Sequence, residues 1–324
     1  MKKIVFILAG ILFSSGLFAN IIRLNNNAGV LGTYLTAQAA HNAASAGDTI
    51  HVETSVFSYG NVTCTKPLVW IGNGYFQDGT KASYLDYISM NAGSGGSVLL
   101  GLYCADVSVQ TSNISIQRAS LCNLAFYAST VGQCSNFNIT QSFVRCATTV
   151  SGTSSCSGFN FTNTIFYGMF TLPSSFTNIV YAQNYFHSFN GGSAATATNN
   201  IFREYSGVIA LYASTVYNNL FVGSQTNSFY VGLNGNLYSN TSVTSTANTV
   251  FVSNVTTSTD NWVNVKLGGP AYNNGLGGTH IGPIGGSNYY RLGGIPPVPS
   301  FTQFQIQGVP VNTLPVIIST KSNN

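Results

Sequence analysis

Two pairs of residues in this 324-residue chain have the types and the spacing to do chemistry. Asp86 and Asp106 lie 20 positions apart. Stacked in consecutive layers, they would share a proton or hold a cation between two carboxylates. His187 and Arg203 lie 16 apart beside aligned aromatics, with Glu204 and Tyr205 following. One layer apart, they would make a polar spot fit for catalysis. Each pair has a plain alternative. Turn carboxylates facing water explain the aspartates better, and an ordinary surface ion-pair cluster explains His187 and Arg203 equally well. The other acidic residues, Asp48, Glu53, Asp78 and Asp260, are scattered, and Lys66, Arg118 and Arg145 are isolated charges. Calcium needs about six to eight oxygens, several from carboxylates, and glycoside hydrolysis needs an acid with a partner carboxylate. No DxD, DD or GHG phrase is present, and no CxxC or His–Cys cluster suits zinc. No cofactor or metal is expected; calcium enters only if the chain is an enzyme.

The elements that must position these residues announce themselves by repetition. Ser112-Asn113-Ile114-Ser115-Ile116, Ser135-Asn136-Phe137-Asn138-Ile139 and Ser157-Gly158-Phe159-Asn160-Phe161 recur at intervals of 23 and 22. A second phrase follows at Asn184-Tyr185-Phe186, Asn200-Ile201-Phe202 and Asn219-Leu220-Phe221. Such periods mark a solenoid, whose repeats bury apolar faces only against their neighbours. The spacing predicts about ten coils between Ile50 and Val265, a rod some 50 Å long at one strand spacing per coil. Asn163, Asn184, Asn200 and Asn219 are expected to form an internal amide ladder at a turn.

Composition bounds the partners. Lys2 and Lys3, the apolar run Ile4–Phe13 and small residues up to Ala19 have the pattern of a secretory leader cut after Ala19. The run is too short to span a bilayer. Cleavage would lower the net charge from +4 to about +2, too little for nucleic-acid binding. Charged residues make up 6% of the chain, against roughly a quarter in ordinary soluble domains. Asn, Ser, Thr and Gly must therefore keep the surface wet.

Six cysteines in an exported chain permit disulfides. Cys134 and Cys156 share a phase, as do Cys122 and Cys146, and adjacent coils would bring each pair within bridging range. Cys104 lies one short coil below Cys122, and Cys64 has no obvious partner. A ladder of buried thiols fits these spacings as well as bridges do.

The expected domains are a leader at 1–19, a cap at 20–47, a parallel β-helix at 48–266 and a Gly/Pro-rich closing segment at 267–324. The Ala-rich stretch between Tyr34 and Ala46, ended by Gly47, is expected to be a helix lying as a lid over the first coil. The tail from Phe301 to Thr320, broken by Pro310 and Pro315, supplies two short strands. It is expected to close the last coil or to pack along the rod's side.

Several phrases resemble those of secreted bacterial right-handed parallel β-helix proteins, the pectate-lyase-like solenoids. They are Asn25-Asn26-Asn27, AQAAHNAASAGDTIHV from Ala37 to Val52, the Gly93–Ser97 segment before Val98, the NIF and NLF coils, and the ending GTHIGPIGG…GGIPPVP…LPVIISTKSNN. The resemblance covers nearly the whole mature chain and implies an all-β, right-handed parallel β-helix and an extracellular location. Lyases of this shape carry a calcium-holding Asp cluster with a basic residue, and hydrolases carry close Asp residues with a His; this chain lacks both patterns.

The expectation is a non-catalytic exported scaffold, presenting an uncharged Asn/Thr/Tyr-bearing face to a polysaccharide or cell surface. The alternative is a polysaccharide lyase or glycoside hydrolase using Asp86 with Asp106, or His187 with Arg203. Tyr75, Tyr84, Tyr87, Tyr103, Tyr205, Tyr212, Tyr230 and Tyr238 would supply a sugar-stacking face, although scattered structural tyrosines account for them more simply. Thr196-Ala197-Thr198, Thr244-Ser245-Thr246 and Thr256–Thr259 suggest a hydroxyl array, but their spacing is too irregular for an ordered lattice.

Overall fold

Alternating apolar residues in short strands broken by Asn and Gly wind into a parallel β-solenoid. The computed structural model describes residues 19–31, 33–76, 82–203, 210–222, 237–239, 249–306 and 316–322; the leader segment except Ala19 lies outside them. Ile50, Trp70, Leu99, Ile116, Ile139, Phe161, Tyr181, Ala197 and Val216 are successive register partners and make about eight turns. The sequence reading gave about ten. Its period was sound, but the last described rung is Leu237–Ser239, and residues 249–299 leave the coil for another task.

Each turn offers three pairing segments. The first face includes Ser115–Gln117, Phe137–Thr140 and the end of Cys156–Thr162. The second pairs doublets such as Phe143-Val144, Ile165-Phe166, Tyr185-Phe186 and Ile201-Phe202. The third begins with Asn61–Cys64 and continues through Tyr87–Met90 and Asp106–Val109. Between the second and third faces the register shifts by a bulge, as between Val144 and Ala147, which turns the corner.

Other corners use left-handed backbone. Arg118, Gln141, Asn163, Gln183, Asn199 and Asn218 all have φ between 46° and 58°, a region in which Asn is enriched among non-glycine residues. The residue after each sits inside. Asn184 N–H donates to Asn200 Oδ1 (2.9 Å), and Asn200 N–H donates to Asn219 Oδ1 (2.9 Å). Their amide nitrogens donate to the carbonyls of Phe161, Tyr181 and Ala197. Asn184, Asn200 and Asn219 thus form the expected ladder. Asn163 does not join it: Thr164 holds that phase, donating its N–H to Asn184 Oδ1 (3.0 Å), and Asn163 points outward.

The helix α1 (Ala37–Ala43) is shorter than the alanine run, because Thr36 caps its start and Ala44 is extended. It serves the open edge of Asn61–Cys64. Gln38 Oε1 accepts from Thr63 N–H (2.9 Å), and His41 Nε2 accepts from Thr65 N–H (3.1 Å). These bonds satisfy donors that an edge strand would otherwise leave bare. Lys66 is no isolated charge: its Nζ donates to the carbonyls of His41 (2.7 Å) and Ala44 (2.5 Å) at the helix's C-terminal end.

Two apolar cores result. The interior one runs the length of the coil and ends in a column of parallel rings, Phe166, Phe186, Phe202 and Phe221, with centroids 5.0, 5.2 and 5.2 Å apart. The other lies outside the coil. Phe143, Ile165, Tyr185, Ile201 and Leu220 point outward from the second face, yet are fully buried beneath Phe251, Trp262, Val263, Ala271, Ile281 and Tyr290 of a strap. The strap runs back along the rod. Leu276 N–H donates to Asn199 Oδ1, Asn163 donates to the Pro283 and Gly285 carbonyls, Gln141 to the Tyr289 carbonyl and Arg118 to the Ile295 carbonyl. Its passage is close. A Cβ at Gly294 would lie 2.0 Å from the Tyr75 ring and 2.4 Å from the Arg118 carbonyl. Beyond it, Ser300–Ile306 and Val316–Lys321 pair antiparallel, apart from the solenoid sheet.

Candidate functional site

The corner between the second and third faces receives the residues singled out for chemistry. The rung-to-rung step there is Ile88 to Val107, so Asp106 pairs with Tyr87 and not with Asp86. The 20-residue spacing therefore misses by one position, and the two carboxylates are not vertical partners. Asp106 Oδ1 accepts from Asn123 Nδ2 (2.6 Å) in the next turn. Asp86 lies beside Tyr84, whose hydroxyl is pushed up first by burial and then by that carboxylate. Arg145 stacks over the Tyr103 ring at 4.4 Å, and Tyr84 meets Tyr103 edge-on.

His187 and Arg203 do come together. Their turns are adjacent, with Phe186 over Phe202, and Arg203 Nη1 approaches His187 Nδ1 at 3.2 Å. An arginine can only donate, so Nδ1 accepts. Burial first, then the guanidinium, drives the imidazole down to about 4, and the ring is neutral at ordinary pH. Tyr167 packs on it at 4.8 Å, and the Tyr185 hydroxyl lies 3.4 Å from the same nitrogen. Tyr185 in turn packs on Phe251 and Trp262 of the strap. The cluster is a joint between coil and strap. Glu204, Tyr205 and Tyr230 lie outside the described residues, as do Asp78 and the Thr244–Thr246 phrase.

The remaining described carboxylates are occupied. Asp48 accepts from the Asn20 and Ser45 amides, which lower its pKa, and Glu53 pairs with Arg23 at 2.7 Å. Asp260, which no periodicity flagged, is 4% exposed and accepts from Tyr290 OH (2.8 Å) and Gly293 N–H (2.7 Å). Burial raises its pKa, and the Tyr290 hydroxyl also bonds that of Tyr75, which is buried and unavailable for sugar stacking. Among the described residues, no three His, Cys, Asp or Glu side chains converge to hold a metal ion. No described helix is long and apolar enough to cross a membrane.

Chemistry of a different kind is laid out on the first face. Because Ile116, Ile139, Phe161, Tyr181, Ala197 and Val216 point inward, their neighbours form two outward columns. One holds Ser115, Asn138, Asn160, Val180, Thr196 and Thr215; the other holds Gln117, Thr140, Thr162, Ala182, Thr198 and Tyr217. Asn160 Nδ2 donates to Asn138 Oδ1 (2.7 Å), and Asn138 Nδ2 donates to Ser115 Oγ (3.2 Å). Thr196 and Thr198 thus share the outer side, as the Thr-x-Thr phrase implied. Neither column contains a charged residue. Sequence reasoning weighed these residues piecemeal; the signal was the polar–apolar–polar triplet that recurs from turn to turn, broken at Val180-Tyr181-Ala182.

The cysteines divide. Cys122 and Cys146 form a disulfide with Cα atoms 4.7 Å apart, while Cys64, Cys104, Cys134 and Cys156 are buried thiols.

No protein family, characterised protein or solved structure to which the chain was compared matches it.

Proposed function

We propose that this chain is an exported, non-catalytic scaffold, akin to the secreted right-handed parallel β-helix proteins it resembles, whose first face contacts extracellular polysaccharide or a cell surface. The observation that carries this reading is the pair of outward columns from Ser115 to Tyr217, hydroxyl- and amide-rich and free of charge. Rows of fixed hydroxyls and amides, about 4.8 Å apart between rungs, suit the repeated hydroxyls of an extended neutral glycan. The side chains are half-buried by their neighbours, so little rotamer entropy remains to be lost on contact. Each carboxylate of Asp48, Glu53, Asp106 and Asp260 already has a structural partner, which weighs against an acid–base pair for glycan cleavage.

The test is a glycan array, probed with the mature chain and with N138K/N160K/T198K, which places three charges on the open face. Binding of a neutral polysaccharide that falls at least tenfold in the triple variant is expected. Silence across a broad array, or binding indifferent to the variant, overturns the reading. Turnover of any polysaccharide by the wild-type chain, abolished in H187Q or D106N, would replace it with the enzymatic one.

A further inference from the structure

The bridge between Cys122 and Cys146 ties the turn of Ser115–Gln117 to the turn of Phe137–Thr140 on the rod's outer side, where Cys122 is half-buried and Cys146 exposed. Cys134 and Cys156 repeat that arrangement on the inner side, one step later. They are 22 residues apart, as are the partners Phe137 and Phe159 just beyond them, and Gly132 N–H and Asn136 N–H donate to the Ser155 and Ser157 carbonyls on either side. The two Sγ atoms are 3.1 Å apart, with the residues 0% and 2% exposed. A covalent bond needs about 2.05 Å between the sulfurs and Cα atoms roughly 4.4–6.8 Å apart. Rungs spaced by about 4.8 Å meet the second requirement, and small χ rotations meet the first. Cys64 and Cys104 belong to no such pair: their register partners are Met90, and Leu85 and Leu121.

From this geometry we infer that Cys134 and Cys156 are a second disulfide site, which with Cys122–Cys146 staples three successive windings in mid-rod. The pairing is interleaved in sequence, and closure is ordinary exchange with a disulfide oxidant. One cysteine thiolate attacks a sulfur of the oxidant's disulfide and expels one thiolate. The second cysteine's thiolate attacks the mixed disulfide and expels the other. Two thiol protons are released, and the two electrons leave with the reduced dithiol or pair of thiols. Burial pushes the Cys134 thiol upward, so the folded turn exchanges slowly and the bridge closes as the winding forms.

The full chain is refolded with oxidised glutathione, quenched in acid, denatured and alkylated with N-ethylmaleimide without reductant, then mapped by mass spectrometry. Two labels, on Cys64 and Cys104, and a cross-linked peptide joining Cys134 to Cys156 are expected. C134S must show a third label, on Cys156, with the Cys122–Cys146 cross-link retained. The oxidised wild type melts above C134S, and reductant removes the difference. Labelling of Cys134 and Cys156 in a chain whose Cys122–Cys146 bridge has formed overturns the assignment, as does a cross-link from either to another cysteine. C122A/C146A under the same oxidant gives a second reading: loss of two hydrogen masses supports the site, and an unchanged mass overturns it.

Discussion

The interior core and the strap-covered outer core bury similar residues by opposite routes. Inside the coil, Phe166, Phe186, Phe202 and Phe221 touch because their phases agree, and each ring meets the one a turn away. Outside, Tyr185 meets Trp262, and Tyr75 meets Tyr290 across 215 residues of chain. The first core assembles locally, turn upon turn, as expected of a one-dimensional repeat. The second requires the coil to exist before the strap can dock on it. The interior is therefore expected to carry global stability, and the outer core to melt as a separate unit.

The comparison breaks most visibly with two alanine variants. F186A and W262A each remove a fully buried ring, and each is expected to cost about 3–5 kcal/mol. Their consequences should differ. F186A should lower the main melting transition of the β-sheet signal in circular dichroism. W262A should leave that transition nearly intact while amide exchange quickens across Phe251–Tyr290 and at the outward doublet positions. Equal loss of β signal in both variants would show that strap and coil are one cooperative unit.

The amide ladder sharpens the same contrast inside the coil. Asn200 accepts from Asn184 N–H and Nδ2 and donates to the Tyr181 carbonyl and Asn219 Oδ1. N200A leaves the Asn184 N–H buried without its partner, at about 1–3 kcal/mol. Denaturant unfolding should show a lower midpoint at unchanged slope. An effect below about 1 kcal/mol, the usual scale of a single solvated hydrogen bond, would mean that water reaches the ladder.

How much of this was legible followed the same division. Phe137 over Phe159 and Cys122 beside Cys146 were readable because equal phase means adjacency. Phase arithmetic failed where turn lengths changed. The step from Ile88 to Val107 is one short of the Asp86–Asp106 interval, and Thr164, not Asn163, holds the ladder position. The outer core was missed because the strap has no period. Its sign was nonetheless in the doublets Tyr185-Phe186, Ile201-Phe202 and Leu220-Phe221, since neighbouring strand residues point to opposite faces and both can be apolar only if both faces are covered. His187 and Arg203 were found by spacing, but their surroundings of Tyr185, Phe251 and Trp262 were not.

The smallest expected effect concerns pH at that joint. The folded imidazole of His187 titrates at about 4 against 6.5 for a free one, so the fold favours the neutral ring. Its contribution is fully present above pH 6.5 and is lost as pH falls toward 4, when a proton placed beside Arg203 faces both burial and repulsion. Asp260 has the opposite sign. Its raised pKa favours the protonated carboxyl, so its contribution is present in acid and declines as pH rises through the folded value. Acidification should thus loosen the strap at Tyr185 while tightening it at Tyr290. Trp262 emission in a W70F background, which leaves one tryptophan, reads the sum. A shift toward solvent-like emission between pH 6.5 and 4 is expected, and H187Q, which can still accept from Arg203, should flatten it. If H187Q titrates as the parent does, the imidazole is not the acid-sensitive element of the joint, and since Asp260 has the wrong sign to loosen the strap in acid, another group must do so.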